Sequence, residues 1–355
     1  MGNLYTRLKV FHYQDKLDSL PREKDEIRPP VHIRIKPTNV CNHRCSYCAY
    51  RAPELQLGQD MDLRDKIPQA KMLQIVDDII GMGVKAVTFS GGGEPLCYPH
   101  MVETLERLAD SPVAFATLTN GALLSGPTAK IFAKHGVWVR VSMDGWDDES
   151  YTRFRGAPAG EYRRIMTNME DFKALGGGCY LGVSLIIGQD NASHVYEQIG
   201  RLADVGVDSV KLSPCITAND AAANNEYHRP VFNLVKEQAA RAKADFGARL
   251  EIYDTYHELD GKFAKDYTWC PYLQMLPVIG ADQRVYSCQD KAYNLDSGVL
   301  GEIREQSFRE FWMNGKDKFF TIDPSKHCNH HCVANAKNQL VLEYLSADPR
   351  HQAFV

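Results

Sequence analysis

The chain has 355 residues, of which 44% are hydrophobic and 24% are charged, and its formal net charge is −4. This composition is typical of a globular protein, and the lack of a basic block in the sequence disfavours a nucleic-acid partner. The charged N-terminal segment does not resemble a secretory signal, and no run of about eighteen apolar residues occurs. We therefore predict a cytoplasmic protein without membrane contact.

From residue 31 the sequence alternates apolar runs of strand length with segments of helical periodicity. Residues 1–30 are interpreted as an N-terminal extension. Strands are predicted at 31–36, 84–90, 113–119, 137–143, 180–187 and 207–213. Helical patterns separate them, and several of these patterns end at a glycine. Six βα units predict an α/β fold, a partial (βα)6 TIM-like barrel over residues 31–246, with the active site at the C-terminal strand ends.

The pattern changes after a long helix predicted near residues 227–246. The segment 217–226, TANDAAANNE, has the composition of a linker. From Gly247 the units become short and hairpin-like, beginning with LEIY and followed by LPVIGADQRVYSC, which has a turn at residues 280–282. We therefore predict a second, small α+β domain at residues 247–355.

Ten cysteines in a cytosolic protein favour metal binding or catalysis over disulfide bonds. Cys41, Cys45 and Cys48 follow the first predicted strand, in the stretch CNHRCSYC. Three thiolates leave one iron of a four-iron cubane with an open position, where substrate chemistry can take place. A zinc site with His43 as a fourth ligand, or three buried thiols without a special role, are alternatives that the spacing alone leaves open.

The CxxxCxxC spacing, with Tyr47 before the last cysteine and in the first loop of a six-fold βα pattern, resembles that of the radical S-adenosylmethionine (SAM) superfamily. The resemblance covers roughly residues 30–215. It implies that the three cysteines bind a [4Fe-4S] cluster whose open iron is chelated by SAM. It also implies that an electron from a flavodoxin- or ferredoxin-type reductant cleaves SAM to a 5′-deoxyadenosyl radical.

The same resemblance assigns SAM contacts to residues at the predicted strand ends. The second strand ends in SGGGEP, whose carbonyls and Glu94 are expected to accept hydrogen bonds from the ammonium group of SAM. Ser142 is expected to face the SAM ribose or carboxylate, and Arg155 to reach the carboxylate or the substrate. The full set of predicted SAM-binding residues is Gly91, Gly92, Gly93, Glu94, Asn120, Ser142, Asp144 and Arg155.

A second set of cysteines lies in the predicted C-terminal domain and consists of Cys270, Cys288, Cys328 and Cys332. Four cysteines can supply one thiolate ligand to each iron of a cubane, which leaves no open position, although a Cys₄ zinc site has the same ligands. The arrangement resembles the Twitch domain, a shortened relative of the SPASM domain, whose full pattern has seven cysteines and two clusters. The resemblance implies one auxiliary [4Fe-4S] cluster.

The substrate is predicted to be a small polar metabolite, such as a sugar or an aminocyclitol, because the resemblance includes a well-known Twitch-type relative that oxidises an aminocyclitol and no leader-peptide domain is expected. An auxiliary cluster that accepts an electron would give oxidation, whereas a thiol that returns a hydrogen atom would give epimerisation. Cys215 and Cys97 are the candidate hydrogen-atom donors. The alternatives are a peptide- or protein-modifying maturase and, from a different class, a non-catalytic zinc or iron-sulfur protein.

Overall fold

The computed structural model describes residues 4–259, 263–352 and 354. These residues form one ten-stranded sheet in the order β10-β9-β8-β1-β2-β3-β4-β5-β6-β7. The strands are β1 (His32–Ile35), β2 (Ala86–Phe89), β3 (Ala114–Thr119), β4 (Trp138–Ser142), β5 (Tyr180–Ile187), β6 (Ser209–Pro214), β7 (Glu251–Asp254), β8 (Val278–Ile279), β9 (Arg284–Tyr286) and β10 (Val299–Glu302). Strands β1 to β7 are parallel, as predicted for a barrel of βα units.

Helices connect these strands and cover the outer face of the sheet. They are α1 (Gln14–Asp18), α2 (Gln69–Met82), α3 (Met101–Ala109), α4 (Gly126–His135), α5 (Asp148–Arg155), α6 (Glu161–Ala174), α7 (Val195–Val205), α8 (Ala221–His228), α9 (Phe232–Phe246), α10 (Tyr272–Met275), α11 (Phe308–Met313), α12 (Pro324–His327) and α13 (Asn335–Leu345). Helices α2 and α7 end at Gly83 and Gly206, both with positive φ, which L side chains rarely adopt. The predicted glycine stop signals at these two helices are confirmed.

The two faces of the parallel strands differ in how completely they are buried. On β4, Val139 and Val141 belong to the hydrophobic core shared with the helices and are fully buried. The alternate side chains Trp138, Arg140 and Ser142 are only half-buried. Because successive strand residues point to opposite faces, these three line the lumen of the partial barrel. The β4 side chains on the lumen face are therefore partly accessible.

The predicted strands of the barrel are confirmed, but LEIY does not begin a hairpin. Residues Glu251–Asp254 instead form β7, which pairs in parallel with β6 from Ser209 to Leu212. A parallel neighbour requires a crossover connection, and α9 supplies it on the outer face. The sheet consequently has a seventh parallel strand that periodicity alone did not separate from the hairpin region.

The predicted hairpin at residues 277–288 is present as β8 and β9, which pair antiparallel. Strand β8 also pairs in parallel with β1, through Arg34 with Val278 and Ile35 with Ile279. The hairpin thus extends the barrel sheet beyond β1. The domain boundary at residue 247 remains a prediction.

The linker predicted at residues 217–226 is wrong in its second half, where α8 begins at Ala221. The side chain of Asp220 caps this helix by accepting a hydrogen bond from the backbone N–H of Ala223 at 2.6 Å. Asn224 is fully buried, and its Oδ1 accepts from the backbone N–H of Thr217 at 2.8 Å. Local capping and one buried amide therefore order a segment whose composition indicated a linker.

The N-terminal extension packs against the C-terminal part of the chain. Leu17 and Leu20 form a small apolar cluster with Met275 and Val341. Among the described residues, no helix combines the length and the apolar character needed to cross a membrane.

Candidate active site

The stretch CNHRCSYC forms an irregular loop after β1, at the C-terminal face of the barrel. Its backbone is held by the end of α5, because the N–H groups of Arg44 and Ser46 donate to the carbonyls of Arg155 and Phe154 at 2.8 and 3.0 Å. Gly156, with φ +53°, ends α5 where a Cβ would lie 2.8 Å from the Arg44 carbonyl oxygen. The fourth βα unit therefore fixes the conformation of the cysteine loop.

The three thiols of this loop are close enough to influence one another electrostatically. Burial raises the pKa of Cys41 to about 11, and the neighbouring Cys45 thiol adds to that shift. Burial and Cys45 also raise the pKa of Cys48. Cysteine binds a metal as the thiolate, so cluster binding here would release protons. All three are free thiols with partly accessible side chains, as ligands of an added cluster need to be.

His43, the alternative zinc ligand, does not face these thiols. Its Nε2 atom lies 3.0 Å from the Glu161 carboxylate, and its side chain is fully buried. Among the described residues, no three His, Cys, Asp or Glu side chains converge on one point as the ligands of a single metal ion do. In a cubane, by contrast, each thiolate binds a different iron.

The glycines of SGGGEP lie against the chain that leads into the cysteine loop. A Cβ on Gly93 would lie 2.2 Å from the Val40 carbonyl oxygen, and one on Gly92 would lie 2.4 Å from Asn39 Oδ1. The three glycines predicted a close approach to this backbone, and the residues that approach it include Asn39 and Val40 of the same chain. The glycines bring the end of β2 directly beside the cysteine loop.

Glu94 was predicted to accept hydrogen bonds from SAM, and the structure shows which protein donors its buried carboxylate already has. Oε1 accepts from Thr119 Oγ1 at 2.6 Å and from the Leu96 N–H at 3.1 Å. Oε2 accepts from the backbone N–H of Asn120 at 2.7 Å. Burial raises the pKa of Glu94, and these donors oppose that rise. Glu94 thus joins the ends of β2 and β3, and its contact with SAM remains a prediction.

A chain of polar contacts connects the end of β3 to the cysteine loop. Asn120 Nδ2 donates to Asn42 Oδ1 at 2.7 Å, and the Cys97 thiol lies 3.7 Å from the same oxygen. Burial raises the pKa of Cys97 to about 11. Asn120 and Cys97 are therefore adjacent to the loop that carries Cys41. No pattern in the sequence indicated that Asn42 would connect them.

Arg155 and Asp144 form a buried ion pair beside Cys45. Their side chains are 5% and 1% exposed, and Arg155 Nη2 lies 2.5 Å from Asp144 Oδ2. Arg155 Nη1 also donates to the Cys45 sulfur at 3.6 Å. Asp144 in turn accepts from the Ile186 N–H at 2.9 Å and from the Tyr47 hydroxyl. Arg155 was expected to reach SAM or substrate, and the structure brings it to a predicted cluster ligand.

Ser142 and Cys215 lie along the rim of the lumen. Ser142 is half-buried at the end of β4, and its Cα is paired with that of Ser184 on β5. Cys215 directly follows β6, where its backbone N–H donates to the Ile187 carbonyl at 2.9 Å. Burial raises the pKa of the Cys215 thiol to about 11, and the Asp144 carboxylate contributes to the shift.

The second set of cysteines comes together as predicted, because all four line a single cavity. Its walls also include apolar side chains such as Leu273, Ile322 and Ala334. The lining cysteines are Cys270, Cys288, Cys328 and Cys332. Burial raises the pKa of each of these thiols, to about 11 for Cys270 and about 12 for Cys332. Four thiols that line one cavity fit a closed cluster, and the presence of that cluster remains a prediction.

Lys36, which the sequence analysis did not single out, connects the two regions. Its ammonium group is buried and donates to the Gly91 carbonyl at 2.8 Å and to Gln289 Oε1 at 2.9 Å. Gln289 directly follows Cys288, so Lys36 links SGGGEP to the second set of cysteines. The signal for it was present in VHIRIK, where His32, Arg34 and Lys36 alternate with apolar residues.

Comparison with known proteins agrees with this arrangement. Residues 35–197 match the Radical SAM superfamily. A GTP 3′,8-cyclase from Chlorobaculum tepidum is 32% identical over 124 residues, which cover 34% of this chain and 35% of that protein. A pre-heme d1 synthase from Dinoroseobacter shibae is 26% identical over 264 residues, which cover 72% of this chain and 62% of that protein. Three curated relatives are matched over 25% to 62% of their own lengths.

The fold has counterparts among solved structures. SuiB from Streptococcus suis, bound to its precursor peptide SuiA, superposes with a TM-score of 0.62 over 88% of this chain and 71% of that one, at 15% identity. At this identity the likeness concerns the fold alone. The radical SAM family uses a [4Fe-4S] cluster and SAM, and three cysteines beside a glycine-rich strand end provide the groups that these cofactors need. Residues 35–197 of this chain therefore belong to the radical SAM superfamily.

Proposed function

We propose that this protein is an enzyme that cleaves SAM reductively and uses the 5′-deoxyadenosyl radical to abstract a hydrogen atom from a small polar metabolite. The observation that carries the proposal is the position of the CxxxCxxC loop, held against SGGGEP and reached by the Arg155 guanidinium. A cluster bound there supplies the electron that breaks a sulfonium bond of SAM. The residues of the chain position the thiols and the strand ends around it.

A small polar substrate is supported by the partly accessible lumen wall, which carries the Ser142 hydroxyl, the Arg140 guanidinium and the Lys211 ammonium group beside the Trp138 ring. The names of the two curated relatives also refer to chemistry on small molecules, GTP and a heme precursor. Neither name describes a dehydrogenase or an epimerase. Oxidation or epimerisation of a sugar or aminocyclitol, the presence of an auxiliary cluster and a flavodoxin- or ferredoxin-type electron donor are therefore all parts of the proposal.

The first test is formation of 5′-deoxyadenosine by the anaerobically reconstituted protein given SAM and dithionite. We expect product from the wild type and none from Cys45→Ala, because the cluster then lacks one of three ligands. Cys179→Ala is the matched control, since Cys179 lies in the hydrophobic core and is 5% exposed. A zinc-containing protein that forms no product would refute the enzyme and favour the non-catalytic metal protein.

The auxiliary cluster has its own test, which measures iron rather than activity. Two cubanes hold about eight irons per chain, so Cys288→Ala should lower the iron content to about four. Cys179→Ala should leave it at about eight. Zinc, or an iron content that Cys288→Ala does not change, would contradict the auxiliary cluster without affecting the first test.

Incorporation of solvent deuterium into the product distinguishes the possible fates of the substrate radical. If Cys215 or Cys97 returns a hydrogen atom, turnover in D₂O should place one deuterium in the product, because thiol hydrogens exchange with solvent. Replacing the responsible cysteine with alanine should abolish that incorporation. Product oxidised by two electrons, with no deuterium uptake, would instead establish a dehydrogenase. A peptide substrate found in labelling experiments would favour the maturase.

A further inference from the structure

Two neighbouring rows of residues on the lumen face of the barrel carry polar side chains. Ser142, Ser184 and Lys211 are Cα partners across β4, β5 and β6, and Arg140 is paired with Gly182 one row below. Partners in adjacent parallel strands point to the same face of the sheet. All four polar residues are half-buried, so their side chains face accessible space inside the barrel.

The cations in this space have no carboxylate partner among the described residues. Arg140 donates to the Tyr5 hydroxyl and lies over the Tyr5 and Trp138 rings, but its buried Nε has no hydrogen-bond partner. The Lys211 ammonium lies 5.9 Å from the Tyr5 ring, without a recorded hydrogen bond or ion pair within residues 4–259, 263–352 and 354. Lys337 donates to the Tyr272 hydroxyl at 3.2 Å.

Arg140 and Lys337, which lies on α13, are both close enough to repel the Lys211 ammonium. Burial lowers the pKa of Lys211, and Arg140 and Lys337 lower it further. Glu251 belongs to the same row as Arg140, through Gly182 and Ser209, but among the described residues it forms no ion pair with Arg140 or Lys211. Its carboxylate accepts hydrogen bonds from the hydroxyls of Tyr180 and Tyr253. Lysines outside the lumen do find partners, as Lys173 does with Asp208 at 2.8 Å. Buried charges are ordinarily paired, so an uncompensated group of cations indicates a missing anion.

We propose that the lumen binds a phosphate ester of the substrate through Arg140 and Lys211, beside the hydroxyls of Ser142 and Ser184. A phosphate monoester carries close to two negative charges, which suits two cations better than the single charge of a carboxylate. Guanidinium and hydroxyl groups both donate to phosphate oxygens. The inference rests on the proposed function, because it narrows the small polar metabolite to a phosphorylated one.

The position of this subsite relative to the cysteine loop limits the size of the substrate. Cys215 follows Lys211 by four residues along β6, which places it about 13 Å further towards the C-terminal face. That is the face where the cysteine loop and SGGGEP lie. A substrate of sugar-phosphate length can therefore hold its phosphate in the lumen while its carbon skeleton reaches towards the radical.

The test is binding of inorganic pyrophosphate to the reconstituted protein, measured by titration calorimetry at constant ionic strength without turnover. We expect Lys211→Met to weaken pyrophosphate binding at least tenfold, because the substitution removes one charge-assisted hydrogen bond. Lys211→Arg, which keeps the charge, should bind within about threefold of the wild type. The control is Lys130→Gln, at an exposed position on α4, which should bind as the wild type does.

Thermal unfolding separates a binding role from a structural one. Lys211→Met should unfold at or above the temperature of the wild type without pyrophosphate, because it removes an uncompensated buried cation, and pyrophosphate should no longer stabilise it. Three outcomes would overturn the proposal: a wild type that binds pyrophosphate no better than chloride, a Lys211→Met variant that binds it normally, or binding that SAM abolishes by competition. Because no turnover is involved, a failure of SAM cleavage would leave this result intact.

Discussion

Replacing Arg155 with methionine should lower the reduction potential of the cluster bound by the first cysteine set. In the structure Arg155 Nη1 donates to the Cys45 sulfur at 3.6 Å and forms an ion pair with Asp144 at 2.5 Å. Reduction makes a cluster more negative, so a guanidinium that donates to a ligand sulfur stabilises the reduced state more than the oxidised state. Removing that group should make reduction harder.

The magnitude follows from the contact. A charge-assisted hydrogen bond contributes about 1.5–3 kcal/mol, and if roughly half of that distinguishes the two redox states, the difference is about 1 kcal/mol. For one electron this corresponds to about 40 mV, because 59 mV is a tenfold change in the equilibrium constant. Loss of one partner of a buried pair also destabilises the fold, by about 3–5 kcal/mol. The variant should therefore be prepared and studied at low temperature.

The assay is a redox titration followed by the electron paramagnetic resonance signal of the reduced cluster, carried out in a Cys288→Ala background so that one cluster is observed. The matched variant is Asp144→Asn, which removes the carboxylate and leaves Arg155 in place. It should shift the potential upwards, because the positive charge beside Cys45 is then uncompensated. Burial raises the pKa of Asp144 and Arg155 opposes that rise, so the potentials are compared at several pH values to detect protonation of this carboxylate in Arg155→Met. Equal potentials in all three proteins, or shifts of the same sign, would refute the reasoning.

Two further predictions concern stability and have matched controls. Gly92→Ala should destabilise the protein by about 1–3 kcal/mol in denaturant titrations, because its Cβ would lie 2.4 Å from Asn39 Oδ1. Gly81→Ala in α2, where a Cβ meets nothing within 4 Å, should be neutral or stabilising. Equal effects of the two substitutions would contradict the close approach at Gly92. Burial lowers the pKa of Lys16 to about 7, so the folded protein loses this proton at lower pH than the unfolded chain. The free energy of unfolding should therefore rise between about pH 7 and about pH 10, by up to about 1.4 kcal/mol per pH unit. Lys16→Met should flatten that rise and Lys130→Met should not; identical slopes in all three proteins would show that Lys16 is not the cause.

Much of the candidate site could be predicted because it lies at strand ends that local sequence identifies. Period-two runs such as VWVRVSM indicate strands, and parallel strands bring their C-terminal ends to one edge. The cysteine loop, SGGGEP and Asn120 were therefore expected to meet, and they do. Four distant cysteines were likewise expected to share a site, and all four line one cavity.

The predictions that failed depended on contacts between distant parts of the chain. LEIY reads equally well as a hairpin strand or as a parallel edge strand, and only its pairing with β6 distinguishes the two. The linker composition of residues 217–226 was overridden by the Asp220 cap and by the buried amide of Asn224. The contact of Arg155 with Cys45 likewise depends on the turn at Gly156, whereas its predicted contact with the SAM carboxylate or the substrate stays a prediction.

By itself, the sequence determined the βα order, the cysteine spacing and the strand-end residues, because periodicity and turn chemistry are local properties. The tertiary structure decided which charges are compensated. Asp144 neutralises Arg155, whereas Arg140 and Lys211 face an open lumen without a carboxylate partner among the described residues. Compensation depends on distances of a few ångströms between residues far apart in the chain, and folding alone sets those distances.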